Sequence, residues 1–320
     1  MTVLLSTIAL GLVLALVGYG VYLSFRVLQF PDLTVDGSFT LGAATAAALM
    51  LAGWDPFAAT AVAAAAGALA GLATAIMATR LGIEGILAGI LSMTALYSIN
   101  LRVMGRSNLG LVGTPTIYSP ADALVRSIAG GPDAIILGQA VPTDVVAQVV
   151  TAGVIAGATA LVLWWFLRTE LGSALRAGGD NPRMIRALGV SHEWLVTLGL
   201  MLGNALVAVG GAAFAQLNAF ADASMGIGIV VIGLASVIIG RALVGSGAGL
   251  PILLASVLVG SVLFRMLVAI AIRTGLEPND LRLITAVVVL VVLVVPGLFT
   301  RLTGSRLVAL RRKEAPRASA

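Results

Sequence analysis

Long apolar runs follow one another almost without pause in this chain, and each is long enough to cross a bilayer as a helix. Their approximate limits are 4–25, 34–53, 56–79, 84–104, 144–167, 194–217, 226–243, 250–272 and 282–300. A span of about 20 apolar residues matches the hydrocarbon thickness. The runs are continuous rather than alternating, which argues for helices and against a β-barrel. Composition agrees: 59% of residues are hydrophobic and only 10% are charged, and the mean hydropathy is +1.08. The expected fold is therefore an all-α polytopic membrane protein with about nine transmembrane helices. The first run lacks a charged leading region and a persuasive cleavage site, so it is read as a span and not as a signal peptide. The run at 226–243 is short for a full crossing. The largest piece between spans is the loop at 105–143.

Arginine placement orients the chain. Arg301, Arg306, Arg311, Arg312, Lys313 and Arg317 crowd the last twenty residues. That end is expected in the cytoplasm, with 304–320 as a basic tail after a permease domain at 1–303. Counting back through nine spans puts the polar segment 168–193 and Arg80 on the same side. It puts the N-terminus outside, together with the loop 105–143 and most of the inter-span carboxylates. Arg102, Arg106, Arg126, Arg273 and Arg282 also fall outside, so the bias is imperfect. The high pI fits contact with anionic lipid, and no motif points to nucleic acid.

Absences narrow the function. The only lysine, Lys313, stands outside any glycine-rich loop, so the chain cannot hold ATP through a G-x-x-x-x-G-K-S/T loop. There is no cysteine and a single histidine, His192, which excludes disulfides and Cys/His metal centres. His192 is read as an interfacial or capping residue. No catalytic set and no bound cofactor is expected.

Two polar segments interrupt the apolar pattern. In the first, 168–193, Asp180 or Asn181 can cap a short helix, Pro182 suits its first position, and Gly189 can close it. Met184, Ile185 and Leu188 then form one apolar stripe, with Arg183 and Arg186 projecting elsewhere. Two turns of helix need something to pack against. The segment is either a docking helix or an amphipathic connector lying on the membrane. In the second segment, LQFPDLTVDGSFTLG at 28–42, Pro31 and Gly37 break the run where a span should begin. Asp32, Thr34, Asp36 and Ser38 cluster there. They either line a path through unwound backbone, or form an ordinary turn in which Asp36 caps the next helix.

Taken together, these segments resemble the membrane-spanning permeases of ABC importers of the branched-chain amino acid and ribose type. The motifs are most similar to those of permeases paired with a tryptophan/tyrosine-type substrate-binding protein. Gln29-Phe30-Pro31-Asp32 through Asp36-Gly37-Ser38-Phe39-Thr40-Leu41-Gly42-Ala43 stands where branched-chain permeases have NFAHGEFYMLGAY. The stretch Asp32-Leu33-Thr34-Val35-Asp36-Gly37-Ser38 matches the sugar-type DLSVGS with one insertion. Gly172-Ser173-Ala174-Leu175-Arg176-Ala177, Asp180-Asn181-Pro182 and Ala187-Leu188-Gly189-Val190 follow the family's coupling loop. The resemblance implies that Asn181, Pro182, Met184, Ile185, Leu188 and Gly189 form a coupling helix seated in a P-loop ATPase. Arg176, Arg183 and Arg186 would then pair with carboxylates on that subunit. It further implies ATP and magnesium on the partner, an extracytoplasmic substrate-binding protein docking on 105–143 and 274–281, and a dimer of permeases, identical or related. The setting would be the bacterial cytoplasmic membrane, the mechanism alternating access, and the cargo a small solute such as an amino acid. The rival is an ion-coupled secondary transporter, for which Asp32, Asp36 and Glu84 are the acidic candidates. Gly82-Ile83 and Gly89-Ile90-Leu91-Ser92 recur as Gly226-Ile227 and Gly233-Leu234-Ala235-Ser236, a pattern compatible with an inverted repeat or with chance. Gly67/Gly71, Gly153/Gly157 and Gly199/Gly203 are small-residue pairs suited to close helix packing.

Overall fold

A computed structural model describes residues 1–273 except 137 and 246, and positions 283, 286, 287 and 289–291. The expected span 282–300 falls mostly outside these residues. The loop 274–281 and the tail 304–320 fall wholly outside, and so does the cytoplasmic end assigned from that tail.

Helix α1 (Thr2–Val21) continues through a π-helical turn, Tyr22–Val27. After a break come α2 (Thr34–Leu51), α3 (Pro56–Thr79) and α4 (Gly85–Met104). The 105–142 segment holds β1 (Asn108–Gly110), α5 (Ser119–Ala129), β2 (Asp133–Ile136) and β3 (Gln139–Pro142). Then follow α6 (Thr143–Arg168), α7 (Glu170–Asp180), α8 (Pro182–Ala187) and α9 (His192–Asn218). β4 (Phe220–Asp222), α10 (Ile229–Val244) and α11 (Leu250–Arg273) complete the described chain. Seven of these helices are long and apolar enough to cross a membrane, and α10 is a shorter apolar helix. Their limits fall within a few residues of the eight expected runs they represent. The all-helical, multi-span fold class is thus as expected.

α1, α2 and α9 form the buried centre. Tyr19, Leu23, Phe39, Leu195 and Leu200 are inaccessible there, while α4 and α6 carry outward faces such as Leu161, Val162 and Trp165. Small residues decide which helices become central, because glycine lets two backbones approach without a side chain between them. A Cβ on Gly71 of α3 would run into the Leu200 carbonyl of α9. Gly71→Val is accordingly expected to destabilise the solubilised protein by about 1–3 kcal/mol, seen as a lower melting temperature. Gly67 makes an equally close approach to the Asn204 carbonyl, Gly203 a looser one to Gly20, and Gly199 packs on Leu28, whereas Gly153 only touches the Leu12 side chain and Gly157 meets nothing. The second small-residue pair, Gly153/Gly157, therefore brings no two backbones into close approach among the described residues.

α1 and α9 run in opposite directions. Leu28 lies on Gly199, Gly20 meets Gly203, and Val17 reaches Gly210. Around this crossing the packing repeats in the reverse sense. Gly71 of α3 meets Met201 of α9 much as Val257 of α11 meets Gly18 of α1. The helix after each crossing helix, α2 and α10, starts only after a stretch of non-helical backbone. This equivalence relates α1–α3 to α9–α11, a different pairing from the α4/α10 offset seen in the sequence. Short apolar matches are weaker guides than the packing of whole helices.

One end of the bundle gathers residues 27–30, the 168–193 segment and the start of α4. Gly179 abuts the Val27 carbonyl, Gln29 Nε2 donates to Asp180 Oδ1 at 3.4 Å, and Phe30 covers Gly85. At the other end β1 pairs antiparallel with β4, with Asn108 opposite Asp222 and Gly110 opposite Phe220. Gln216 there accepts from Ile117 N–H at 2.9 Å and donates to Thr60 at 3.0 Å, tying the long loop to α3 and α9.

Candidate functional site

The 168–193 segment folds into two short helices where one was expected. Thr169 caps α7, its Oγ1 accepting from Gly172 N–H at 3.2 Å. Asn181, not Asp180, caps α8, with Oδ1 accepting from Met184 N–H at 3.1 Å. Pro182 opens α8, and Gly189 leaves it at φ +80°, where glycine carries no steric penalty. The apolar stripe is divided. Ile185 is buried among Leu175, Leu195 and neighbours in the main core cluster, whereas Met184 is 43% and Leu188 70% exposed. Ile185 is thus an internal anchor and leaves the outward-facing set, because one helical face must attach α8 to its own bundle. Arg176 and Arg183 are exposed. Arg186 pairs with Glu193 at 2.9 Å. With both partners exposed, this pins α8 to α9 only weakly. Ser191 caps α9 through Trp194 N–H at 3.2 Å, so the cap falls to Ser191 and not to His192, which occupies the first helical position.

The 28–42 segment is a broken helix entry. The chain reverses at Gln29, a non-glycine residue at φ +55°. α2 then starts level with Asn204, twelve residues into α9, or about 18 Å along that helix. Asp32 is wholly buried. Its Oδ1 accepts from Thr34 N–H at 2.9 Å and its Oδ2 from Asn204 Nδ2 at 2.7 Å. Ser38 Oγ donates to Asn204 Oδ1 at 2.7 Å. Thr34, Thr74 and Ser92 form a hydroxyl chain across α2, α3 and α4, with separations of 2.7 and 2.6 Å. Each polar atom thus substitutes for water that the bundle excludes. Asn204→Ala would leave Asp32 and Ser38 without their shared partner. It should cost about 2–3 kcal/mol, measured as lost thermal stability in detergent.

Asp36 does something else. It sits in the first turn of α2, yet it caps α10. Its Oδ2 accepts from Gly228 N–H at 2.8 Å and its Oδ1 from Val230 N–H at 2.9 Å. Thr40 Oγ1 accepts from Gly226 N–H at 3.1 Å. After β4 the chain therefore re-enters the bundle as turns, and α10 begins at depth, opposite the depth at which α2 begins. A carboxylate at a helix N-terminus suits both the free N–H groups and the dipole. Asp222 holds the outer end of this re-entrant stretch. Burial works to raise its carboxyl, but hydrogen bonds from Ser224 and Asn108 outweigh it and hold the group below its usual range.

Of the four path candidates, Asp32, Thr34 and Ser38 are enclosed and partnered inside the bundle, and Asp36 borders a cavity. Sequence reasoning missed their partners Asn204 and Thr74, together with Ser92, which extends the chain from Thr74, and Asn100, which bonds the Gly37 carbonyl. The available signal was a polar residue inside an apolar run. Glu84 precedes α4 at the end shared with the 168–193 segment, exposed and outside the network.

Seven helices long and apolar enough to cross a membrane, a short surface helix and two interlocked broken helices are the build of a multi-pass membrane permease. The family described as branched-chain amino acid transport system / permease component matches residues 3–295, and the chain belongs to it. It is 35% identical to a protein named tyrosine transport system permease protein from Clostridioides difficile (strain R20291), over 91% of this chain and 90% of that one. An uncharacterized protein of Rickettsia prowazekii (strain Madrid E) is 31% identical, over 91% of this chain and 96% of its own length. Among solved structures, PsaBC from Streptococcus pneumoniae in complex with Fab aligns at TM-score 0.47 and 18% identity, covering 90% of this chain and 88% of the other.

Proposed function

We propose that this chain is the membrane-spanning subunit of an ATP-driven importer of amino acids, working by alternating access. The supporting observation is α8. Ile185 fixes it to the bundle while Met184 and Leu188 stand exposed at the end of the molecule. An apolar pair on a rigid mount, flanked by Arg183 and Arg186, suits a groove on a separate P-loop ATPase. That subunit carries the ATP and magnesium. α7 abuts the end of α1 at Val27 and reaches Gln29 through Asp180. Movement of α8 therefore bears directly on the break before α2, and through Asp36 on the start of α10.

In this reading the 168–193 end is cytoplasmic, and the 105–142 end receives an extracytoplasmic substrate-binding protein. Two permeases, identical or related, sit in the bacterial cytoplasmic membrane. Asp32, Thr34 and Ser38 hold the broken helix in place, and Asp36 stands beside the path. The relative named for tyrosine transport inclines the cargo towards an aromatic amino acid. Co-purification of the tagged chain with its ATPase, and uptake into proteoliposomes containing both, is the test. Uptake by the permease alone, driven by an ion gradient, would overturn this reading and favour a secondary transporter.

A further inference from the structure

Between α4, the first turns of α2 and the re-entrant stretch before α10 lies a cavity of about 290 Å³, small for a ligand pocket. Its α4 wall is polar where a membrane-crossing helix is expected to be apolar. Thr94, Tyr97 and Ser98 are all exposed, Tyr97 by 48%. Such groups inside a span face protein or water rather than lipid.

A second observation points to a ligand. Asn100 lines the same cavity, is only 1% exposed, and its Oδ1 has no hydrogen-bond partner among the described residues. Its Nδ2 donates to the Gly37 carbonyl at 3.3 Å. That contact fixes the amide orientation, since a flip would set two acceptors against each other. The unsatisfied group is therefore an acceptor waiting for a donor.

The chemistry of the remaining lining narrows the donor. Asp36 supplies a carboxylate with acceptor capacity left beyond its α10 bonds, and Thr40 adds a hydroxyl. Among the described residues no Lys, Arg or His lines the cavity. Among the described residues no group of three His, Cys, Asp or Glu could hold a metal ion. Resting on the reading of the chain as an amino acid permease, we infer that this cavity is a way-station on the solute path that takes a primary ammonium group. Asn100 Oδ1 and the Asp36 carboxylate accept its N–H donors. Tyr97, Met93 and Ile227 lie against the apolar body attached to it. Recognition is thus directed at the ammonium end of the solute.

The absence of cysteine makes the test clean. Ser98→Cys is introduced into the full chain in membranes, without ATP. It is treated with a trimethylammonium-bearing or a sulfonate-bearing methanethiosulfonate, each rate being normalised to a free thiol. The cationic reagent is expected to react about tenfold faster, the low end of electrostatic focusing in a charged cleft. Val162→Cys on the outward face of α6 should react with neither. Tyramine should slow the cationic reagent at Ser98→Cys, and N-acetyltyrosine, which lacks the ammonium, should not.

Labelling no faster than at Val162→Cys would show that the cavity does not face water. Equal normalised rates, or no protection by tyramine, would remove the ammonium assignment. Adding Asn100→Ala should leave unprotected labelling intact and weaken tyramine protection about tenfold, the effect of one charge-assisted hydrogen bond. Undiminished protection would remove Asn100 from the site. If Asn100→Ala fails to fold, the tyramine and N-acetyltyrosine comparison on Ser98→Cys alone decides. None of these readings needs the ATPase. Failure here is therefore distinct from failure of the importer assignment, which would appear as absent co-purification with the cavity intact.

Discussion

Leu188→Asp is expected to abolish ATP-driven uptake while leaving the permease folded and inserted. Leu188 is 70% exposed and touches little of its own chain, so the substitution should change stability by no more than about 0.5 kcal/mol. In the proposed ATPase groove the same side chain would be a central apolar anchor. Losing such an anchor costs about 2 kcal/mol or more, roughly a thirtyfold weaker complex, and placing a carboxylate there weakens it further. The measurement pairs ATPase co-purification with uptake in proteoliposomes, and a melting curve serves as the folding control. Ile185→Asp makes the contrast. Ile185 is 3% exposed in the core of the same cradle, so that variant should lose thermal stability as well as partner binding. Wild-type uptake by Leu188→Asp would remove α8 from the coupling role.

The second large effect belongs to Asp36. Asp36→Ala would strip the part-buried Gly228 and the buried Val230 N–H groups of their acceptor. Two charge-assisted bonds lost, one from a buried donor, should cost about 3–5 kcal/mol. That is a large part of the stability of an ordinary domain. The loss should be local first, so amide exchange across 226–232 should accelerate before the bundle melts. Asp36→Asn keeps one acceptor oxygen and no charge, and should fall between the wild type and Asp36→Ala. Unchanged exchange at 226–232 in Asp36→Ala would show that α10 does not depend on this cap.

Much of the architecture was legible because its cause is local. A run of apolar residues that must satisfy its own backbone inside a bilayer becomes a helix whatever its neighbours are. The limits of α3 at 56–79 and α4 near 84–104 could therefore be read directly from hydropathy. Asn181-Pro182 and Gly189 likewise announced the ends of α8 through cap chemistry that extends only a few residues. The break at 28–33 was visible as an interruption, and so was the polar cluster at 32–38, whereas the re-entrant turns before α10 were read as part of a short span from 226.

What those residues meet was not visible. Asp36 looked like a cap for its own helix, yet it caps one that begins 193 residues later, at Ile229. Met184, Ile185 and Leu188 share one face by periodicity, but only packing against Leu175 and Leu195 turned Ile185 inward and left the other two free. Asn204 and Asn100 were single polar letters in apolar runs until folding brought them to Asp32 and Gly37. That this chain is a multi-span helical membrane protein follows from local pattern alone, because hydrophobic length and backbone satisfaction act segment by segment. Which polar groups find partners and which remain free to act was settled by folding. Pairing between distant helices depends on crossing geometry set by the close approach of small residues, which no local pattern encodes.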